Sequence, residues 1–147
     1  MDREELLRLE HQLCFSLYAT AREVTRLYRP YLDKLGITYT QYVTLLVLWE
    51  QDDVPVKVLG EKLYLDSGTL TPLLKKLEGM GYVRRLRDAK DERSVRVQLT
   101  EQGRELREQV LDLPEMLFCK LGMSAEQTVA LRTQLQELTR YVHESQE

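Results

Sequence analysis

LDSGTLTPLLKKLEGMGYVRR, residues 65–85, is the stretch from which the fold of this chain is inferred. Asp66 and Ser67 belong to the residue types that cap the N-terminus of a helix, and Gly81 belongs to the type that ends one. A shorter helix is predicted just before it, over roughly residues 56–63. The pattern therefore predicts two helices in close succession.

Pro72 falls inside this stretch and limits where its helix begins, because proline has no N–H to donate to the preceding turn. Either the helix starts near Thr71 and Pro72 occupies the tolerated first position, or the first turn is distorted. The residues alone leave both possibilities open.

Two short strands follow the helix pair, YVRRLR at 82–87 and VRVQL at 95–99, joined by the loop DAKDERS at 88–94. In the second strand, apolar and polar residues alternate as in a hairpin with one buried face. The apolar positions are Val95, Val97 and Leu99, and the polar ones are Arg96 and Gln98. The helix pair is thus followed by a two-stranded hairpin.

Helical patterns precede this unit. Apolar residues recur every three or four positions from Leu6 to Leu32, which predicts one long helix that contains Cys14 and ends at Gly36. A second, mostly buried helix is predicted around Tyr42–Trp49, and it ends in QDDVP, where a proline blocks continuation.

Helical patterns also follow the hairpin. Residues 100–122 read as one helix in which Pro114 produces a kink. Ser124 and Gln127 have the spacing of a capping box, in which each side chain bonds to the backbone N–H of the other residue. A final helix therefore begins after Ser124.

This order predicts a mainly α (α+β) chain with a winged helix-turn-helix, which is a DNA-binding plan. We expect a single domain over residues 1–147, with the winged helix at about 38–100. The long terminal helices, at about 1–35 and 101–147, carry more apolar surface than so small a unit can cover. They favour pairing with a second copy as a twofold dimer, the alternative being that they fold back on the same chain.

Composition is compatible with this plan. The 147 residues are 43% hydrophobic and 31% charged, which is typical of one globular domain. The net charge of −3 argues against a uniformly basic surface. Residues 84–96 nevertheless hold six basic and three acidic side chains, a local charge of +3. Because this patch adjoins the helix pair, it favours nucleic-acid binding over a merely solvated hairpin face.

The N-terminus lacks the pattern of a signal peptide, and the longest apolar run, at 43–49, is too short to cross a membrane. We therefore expect a cytoplasmic protein in which Cys14 and Cys119 are free thiols or a redox pair rather than a structural disulfide. His11 and His143 show no ligand spacing, so no metal site is predicted, and no cofactor is expected.

Three segments together resemble the MarR family of winged-helix repressors, and specifically its organic-hydroperoxide-sensing OhrR branch. They are LEHQLCFSLYATAREVTRLYRPYLDKLGITYTQYVTLLVLWE at 9–50, LGEKLYLDSGTLTPLLKKLEGMGYVRR at 59–85 and DERSVRVQLTEQG at 91–103. The branch commonly has proline where this chain has Thr40, at the start of the second helix. The resemblance covers nearly the whole chain and implies the same fold and a double-stranded operator as partner.

In this fold the second of the two close helices lies in the major groove. Its short polar side chains suit base edges and phosphates, and its lysines suit phosphates; these residues are Ser67, Thr69, Thr71, Lys75 and Lys76. The resemblance implies that Arg93, at the hairpin tip, enters the minor groove and is oriented by Asp91. A homodimer then requires a pseudo-palindromic operator.

By position alone, Cys14 fits a buried small hydrophobe. The resemblance implies that it is a peroxidatic sensor whose sulfur accepts hydrogen bonds from Tyr28 and Tyr39, at least one of them from the partner subunit. Tyr18 lies one turn after Cys14 on the same helix face. Phenolic donors favour the thiolate, which attacks the O–O bond of an organic hydroperoxide and becomes sulfenic acid. Alkyl or lipid hydroperoxides suit the apolar vestibule that we expect from Phe15, Leu17, Tyr42 and Leu46.

Cys119 is either a buried small hydrophobe or a resolving thiol. The resemblance implies the second, because members of the branch with a cysteine after a phenylalanine in this late helix form a disulfide between subunits. Bridging of oxidised Cys14 to Cys119 of the partner subunit is then expected to move the first helix and release the DNA.

The expected function is therefore a redox-controlled repressor and not an enzyme. A thiol peroxidase would share the activated cysteine, but it would not explain the hairpin arginines or the capped helix. A repressor of the same fold that is released by a phenolic ligand would make Cys14 incidental. These two functions remain the alternatives.

Overall fold

The computed structural model describes residues 2–147. Seven α-helices and three short strands make up these residues, which confirms the predicted mainly α fold with a small sheet. The helices are α1 (Leu13–Leu35), α2 (Tyr39–Glu50), α3 (Val56–Leu63), α4 (Ser67–Gly79), α5 (Glu101–Gln109), α6 (Leu113–Phe118) and α7 (Ala125–Glu144), and the strands are β1 (Val54–Pro55), β2 (Val83–Arg87) and β3 (Val95–Leu99).

The chain divides into two compact units, Met1–Leu111 and Asp112–Glu147. The first contains the helix-turn-helix of α3 and α4 and an antiparallel sheet with strand order β1-β3-β2. The predicted hairpin is β2 and β3, with Val83 opposite Leu99 and Arg87 opposite Val95. The two-residue strand β1 was not predicted, since so short a segment carries no alternation.

Leucine and valine side chains from α2, α3, α4 and the sheet form the core of the first unit. Nine of them are no more than 1% exposed: Leu45, Leu48, Val54, Leu59, Leu70, Leu74, Leu77, Val83 and Val97. Burial of one face of α4 in this core leaves its opposite face toward solvent.

One junction connects the turn between α4 and β2, the helix α2 and the start of α5. The hydroxyl of Thr100 caps α5 by accepting from the N–H of Gly103 at 3.0 Å, and it donates to the carbonyl of Gly81 at 2.5 Å. The backbone N–H of Thr100 also donates to the carbonyl of Tyr82 at 3.0 Å. From α2, the indole N–H of Trp49 donates to the carbonyl of Gly103 at 2.9 Å. The start of α5 is therefore held against α2 and against the turn between α4 and β2.

The prediction of one helix beginning near Leu6 was wrong. The residues before Leu13 form two 3₁₀ turns, Glu5–Leu7 and Leu9–His11. Their side chains compete for backbone carbonyls: the amide of Gln12 donates to the carbonyl of Leu6, and Nδ1 of His11 lies 2.7 Å from the carbonyl of Glu5. As a result, Cys14 lies in the first turn of α1 rather than in the middle of a long helix.

The helix α1 ends at Gly36 as predicted, because this glycine adopts a left-handed conformation with φ of 70°. The helix α4 begins at Ser67, where the carboxylate of Asp66 accepts from the N–H of Thr69 at 2.7 Å. Pro72 lies inside α4, so the possibility that the helix begins near Thr71 is excluded.

The second unit consists of α6 and α7. Residues 100–122 are not one kinked helix, because α5 ends at Gln109 and α6 begins at Leu113. Pro114 lies in the first turn of α6, where a backbone N–H has no acceptor within the helix. The absence of an N–H on proline therefore removes no helical hydrogen bond. The predicted capping box is confirmed, with Ser124 and Gln127 bonding reciprocally at 2.9 and 3.1 Å.

Apolar side chains remain exposed on the terminal helices. None of the described residues of α7 is buried, and Val129, Leu135 and Val142 are 49%, 37% and 42% exposed. On α1, Leu13 and Phe15 are 64% and 42% exposed. An isolated chain would leave this apolar surface in water, which is unfavourable.

The junction predicts a large stability difference between two glycine substitutions. A Cβ at Gly103 would overlap the carbonyl oxygen of Tyr82, whereas a Cβ at Gly79 meets nothing within 4 Å. We expect Gly103→Ala to lower the free energy of unfolding by about 1–3 kcal/mol or more. Gly79→Ala, the control within a helix, is expected to raise it by about 0.5–1 kcal/mol. Urea unfolding measures both, and equal effects would contradict the close approach at Gly103.

Candidate functional site

The solvent-facing side of α4 carries the five residues predicted to contact nucleic acid. All are exposed: Ser67, Thr69, Thr71, Lys75 and Lys76. The hydroxyl of Thr71 donates to the carbonyl of Ser67 at 2.8 Å, so its proton is used within the helix. Ser67 and Thr69 lie in the first turn, where the helix dipole also favours an anion, and the Thr69 N–H is bonded to the Asp66 carboxylate.

Arg93 and Asp91 lie in the loop between β2 and β3, and both are exposed. The carboxylate of Asp91 accepts from the backbone N–H of Arg93 at 3.0 Å. Asp91 therefore orients Arg93 by shaping the loop backbone, and no ion pair between their side chains occurs in the part of the chain that the structure describes.

A groove of about 640 Å³ runs between the helix-turn-helix and this loop. It brings together four of the predicted residues, Ser67, Thr71, Asp91 and Arg93. Lys57 of α3 also lines it and was not predicted, because an isolated lysine on a short helix has no sequence pattern that indicates binding. Lys75 and Lys76 lie farther along α4, outside this groove.

Part of the basic patch at 84–96 has a structural role. Arg85 donates from Nε and Nη2 to one oxygen of Glu78 at 3.1 and 3.0 Å, and its backbone N–H donates to the other oxygen at 2.8 Å. These bonds, the backbone one first, hold the pKa of the Glu78 carboxyl below its usual value. Arg96 forms ion pairs with Asp53 and Asp88. Arg93 and Lys90 remain exposed in the loop.

Cys14 is a free, exposed thiol at the second position of α1. The prediction that it is not a buried hydrophobe agrees with this exposure. Tyr18, one turn later, is 59% exposed. The guanidinium of Arg22 lies 5.0 Å from the centre of the Tyr18 ring, and its Nη1 donates to the Tyr18 hydroxyl at 3.5 Å.

Tyr28 and Tyr39 lie side by side, with ring centres 4.8 Å apart. The Tyr42 ring lies 5.7 Å from that of Tyr28 and meets the ring of Trp49 edge to face at 6.5 Å. Burial, and then the neighbouring tyrosines, raise the pKa of Tyr28 to about 12, and burial raises the pKa of Tyr39 and of Tyr42. At neutral pH these phenols keep their protons and can act as hydrogen-bond donors.

Cys14 and these tyrosines are not brought together within one chain. Both Cys14 and Tyr28 are on α1, and fourteen residues of helix separate them by about 21 Å along its axis. The predicted vestibule is divided in the same way, because Phe15 lies one residue after Cys14 whereas Tyr42 packs beside Tyr28. Leu17 is half-buried on α1 and Leu46 is exposed on α2. One chain therefore does not assemble the predicted peroxide site.

A cavity of about 430 Å³ adjoins the tyrosine pair. Tyr28 and Tyr39 line it together with three arginines of α1, Arg22, Arg26 and Arg29. The arginines escaped prediction because they alternate with acidic and apolar residues on a helix whose polar face is expected to be charged.

Cys119 is the second free, exposed thiol. It directly follows α6, and its N–H donates to the carbonyl of Glu115 at 3.2 Å. The alternative that it is a buried hydrophobe in a helix is therefore wrong. Residues 2–147 contain no cluster of histidine, cysteine or carboxylate side chains that could hold a metal ion. Over the same residues, no helix is long and apolar enough to span a membrane.

Comparisons with known proteins give a consistent result. Residues 26–110 match a family model described as transcriptional regulator SarA/Rot. The organic hydroperoxide resistance transcriptional regulator of Bacillus subtilis (strain 168) is 49% identical over 138 residues, which are 94% of this chain and 94% of that protein.

Solved structures of AbfR from Staphylococcus epidermidis are similar in fold. Reduced AbfR bound to DNA is 35% identical, with a TM-score of 0.78 over 96% of this chain and 99% of that chain. Disulfide-formed AbfR is 36% identical, with a TM-score of 0.65 over 93% of this chain and 96% of that chain. Overoxidised AbfR bound to DNA gives the same TM-score as the reduced form, 0.78, at 34% identity.

The raised pKa of Tyr28 predicts a specific loss of stability in alkali. Because the pKa rises from 10.0 to about 12 in the folded chain, its contribution to stability is complete below pH 10 and is lost as the pH rises toward 12. Tyr28→Phe lacks this group, so its free energy of unfolding should fall less over that interval. Denaturant unfolding at a series of pH values measures it.

Tyr141→Phe is the matched control, because Tyr141 is 74% exposed. This variant should follow the wild-type curve. Parallel curves for wild type and Tyr28→Phe would show that the Tyr28 phenol ionises as easily in the folded chain as in the unfolded one.

Proposed function

This chain belongs to the MarR family of winged-helix transcriptional regulators, in the branch of the organic hydroperoxide regulators, and we propose that it is a DNA-binding repressor that organic hydroperoxides release from its operator. The observation that carries the proposal is an exposed thiol in the first turn of α1 together with two phenols that stay protonated. An exposed thiol at the N-terminus of a helix suits a thiolate sensor better than it suits a structural cysteine.

The DNA-binding surface consists of α4 and the loop between β2 and β3. The first turn of α4 enters the major groove with Ser67 and Thr69, and Lys75 and Lys76 bind phosphates. Arg93 enters the minor groove, where a narrow A·T-rich segment concentrates negative potential. A twofold dimer places two such surfaces about one helical turn of DNA apart, on a pseudo-palindromic operator.

A homodimer follows from the exposed apolar residues of α1 and α7. Their side chains are between about a third and two thirds exposed in a single chain, and burial between two copies removes them from water. Twofold pairing is the commonest solution for such a surface.

The sensor site is then built from two chains. Tyr28 lies about 21 Å along α1 from its own Cys14, and Tyr39 of α2 packs against Tyr28, so both phenols reach only the Cys14 of the partner subunit. Two phenolic donors, together with the free N–H groups of the first helical turn, stabilise the thiolate. The apolar vestibule is completed in the same way. Phe15 and Leu17 come from one chain, and Tyr42 and Leu46 come from the other.

The chemistry is a two-electron oxidation. The Cys14 thiolate attacks the terminal oxygen of the hydroperoxide, an S–O bond forms, the O–O bond breaks, and the departing alkoxide takes a proton to become an alcohol. Cys14 is left as sulfenic acid. The Cys119 thiolate of the partner subunit then attacks this sulfur, an S–S bond forms, and the hydroxyl leaves as water.

The disulfide removes DNA binding by moving the first helix relative to the dimer interface. The two α4 helices then no longer match the operator spacing. Displacing several base and phosphate contacts together removes about 4 kcal/mol or more of specific binding, which is enough for release. The lower TM-score of the disulfide-formed relative supports a change of shape of this kind.

Cysteine substitutions test the proposal. Cys14→Ser should bind operator DNA as the wild type does, and it should stay bound when an organic hydroperoxide is added, because serine forms no sulfenic acid. Fluorescence anisotropy of labelled operator, with one equivalent of cumene hydroperoxide, measures this. Non-reducing electrophoresis should show a covalent dimer in wild type only, and neither in Cys14→Ser nor in Cys119→Ser.

The same samples separate the alternatives. Release from Cys14→Ser by peroxide would reject Cys14 as the sensor. Many peroxide turnovers per subunit with a thiol reductant would indicate a thiol peroxidase. Release of a variant without either cysteine by a phenolic compound would favour a ligand-responsive repressor. A monomeric wild type with sulfenic acid on Cys14 would remove the resolving role from Cys119.

A further inference from the structure

Arg96 is the second residue of the central strand β3, and its guanidinium binds two other segments. Its Nε donates to the carboxylate of Asp53 at 2.9 Å, and its Nη1 donates to the carboxylate of Asp88 at 3.3 Å. Its Nη2 donates to the backbone carbonyl of Asp53. Asp53 is in the loop between α2 and β1, and Asp88 is the first residue after β2. One side chain therefore connects three parts of the winged unit.

Asp88 controls both ends of the loop that carries Arg93. Its carboxylate accepts from the N–H of Lys90 at 2.9 Å, and its own N–H donates to the carbonyl of Ser94 at 2.9 Å. Together with the Asp91 turn, these bonds determine the backbone path of residues 88–94. The ion pair to Arg96 attaches that path to the sheet.

Asp53, one of the two partners of Arg96, is itself held in place by its neighbours. It adopts a left-handed backbone conformation with φ of 57°, and its N–H donates to the carboxylate of Asp52 at 2.8 Å. The same Asp52 oxygen accepts from the N–H of Leu99 at 2.8 Å. The loop after α2 is therefore joined to the far end of β3, and Arg96 joins it to the near end.

Asp53 and Asp88 place two carboxylates next to the DNA-binding loop, although carboxylates repel phosphates. Hydrogen bonding from Arg96 holds the pKa of Asp53 below its usual value, and the Lys90 N–H, followed by Arg96, does the same for Asp88. Both groups are therefore ionised at neutral pH. Each of the three guanidinium nitrogens of Arg96 already donates to a protein oxygen, so this arginine is less available to bind phosphate itself.

We propose that Arg96 is a positioning residue for DNA binding: by bridging Asp53 and Asp88 it holds the loop 88–94 in one orientation on the winged unit, so that Arg93 is presented to the minor groove already ordered. The inference rests on the proposed DNA-binding function and adds to it a role for two acidic residues. A loop that is ordered before binding loses less conformational freedom on the DNA, which increases affinity.

The test compares two substitutions that change the charge of the same loop equally. Asp88→Asn removes the ion pair with Arg96 but keeps an oxygen for the Lys90 N–H. Glu92→Gln, the control, removes an exposed carboxylate from the same loop, and no ion pair of Glu92 occurs among the described residues. Simple repulsion predicts that both variants bind DNA more tightly. Positioning predicts that Asp88→Asn binds DNA at least about fivefold more weakly than the wild type, which is the size of a lost specific contact. It also predicts that the DNA affinity of Glu92→Gln is unchanged or higher.

Coupling to Arg93 separates positioning from a general loss of stability. In an Arg93→Ala background, Asp88→Asn should cause no further loss of affinity, because the side chain that it positions is gone. Asp53→Asn should behave like Asp88→Asn, since asparagine tolerates the left-handed backbone of this position. Affinity is measured by anisotropy on a duplex that the wild-type protein has selected from a random-sequence library.

Hydrogen exchange on the free protein tests the inference without DNA. Amides of residues 88–94 should exchange faster in Asp88→Asn than in Glu92→Gln. Equal exchange, or equal affinity of the two variants, would overturn the role of Arg96. Failure of the wild type to select any duplex would reject the proposed function, and the exchange comparison would still decide whether Arg96 orders the loop.

Discussion

The stiffness of α1 is the constraint on which the account of this protein depends. One continuous helix from Leu13 to Leu35 holds the exposed thiol of Cys14 near its beginning and the phenol of Tyr28 fourteen residues later, about 21 Å away. No side-chain movement closes that distance. If the thiol and the phenols act together, a second chain must supply one of them. Burial of the exposed apolar residues of α1 and α7 favours the binding of that chain.

The helix α2 connects the two functional regions of the first unit. Near its start, Tyr39 and Tyr42 pack against Tyr28 of α1, and near its end Trp49 bonds to Gly103 at the junction with the hairpin and α5. If oxidation at Cys14 displaces α1, as proposed, the displacement acts on an element that also supports the DNA-binding surface. This physical continuity is a route for coupling, and the shift in spacing between the two α4 helices is its proposed outcome.

Local patterns were sufficient for much of the fold. The capping box at Ser124, the short helix Val56–Leu63 and both strands of the hairpin depend on neighbours in sequence, and all were predicted. The beginning of α1 was not, because it depends on side-chain bonds from His11 and Gln12 to particular carbonyls. The candidate site also divides into features that local sequence predicts and features that it does not. The exposure of the α4 residues follows from helical periodicity, whereas the partners of Arg85 and Arg96 depend on tertiary contacts.

The measurement that tests the account most directly is the reactivity of mixed dimers. One chain carries Cys14→Ser, and the other carries Tyr28→Phe with Tyr39→Phe, so that an intersubunit site has all its groups once per dimer. The rate of sulfenic acid formation with cumene hydroperoxide, followed by intact mass, should be close to the wild-type rate at that one Cys14. A rate no higher than that of the double tyrosine variant paired with itself would show that the phenols do not act on the thiol of the partner subunit.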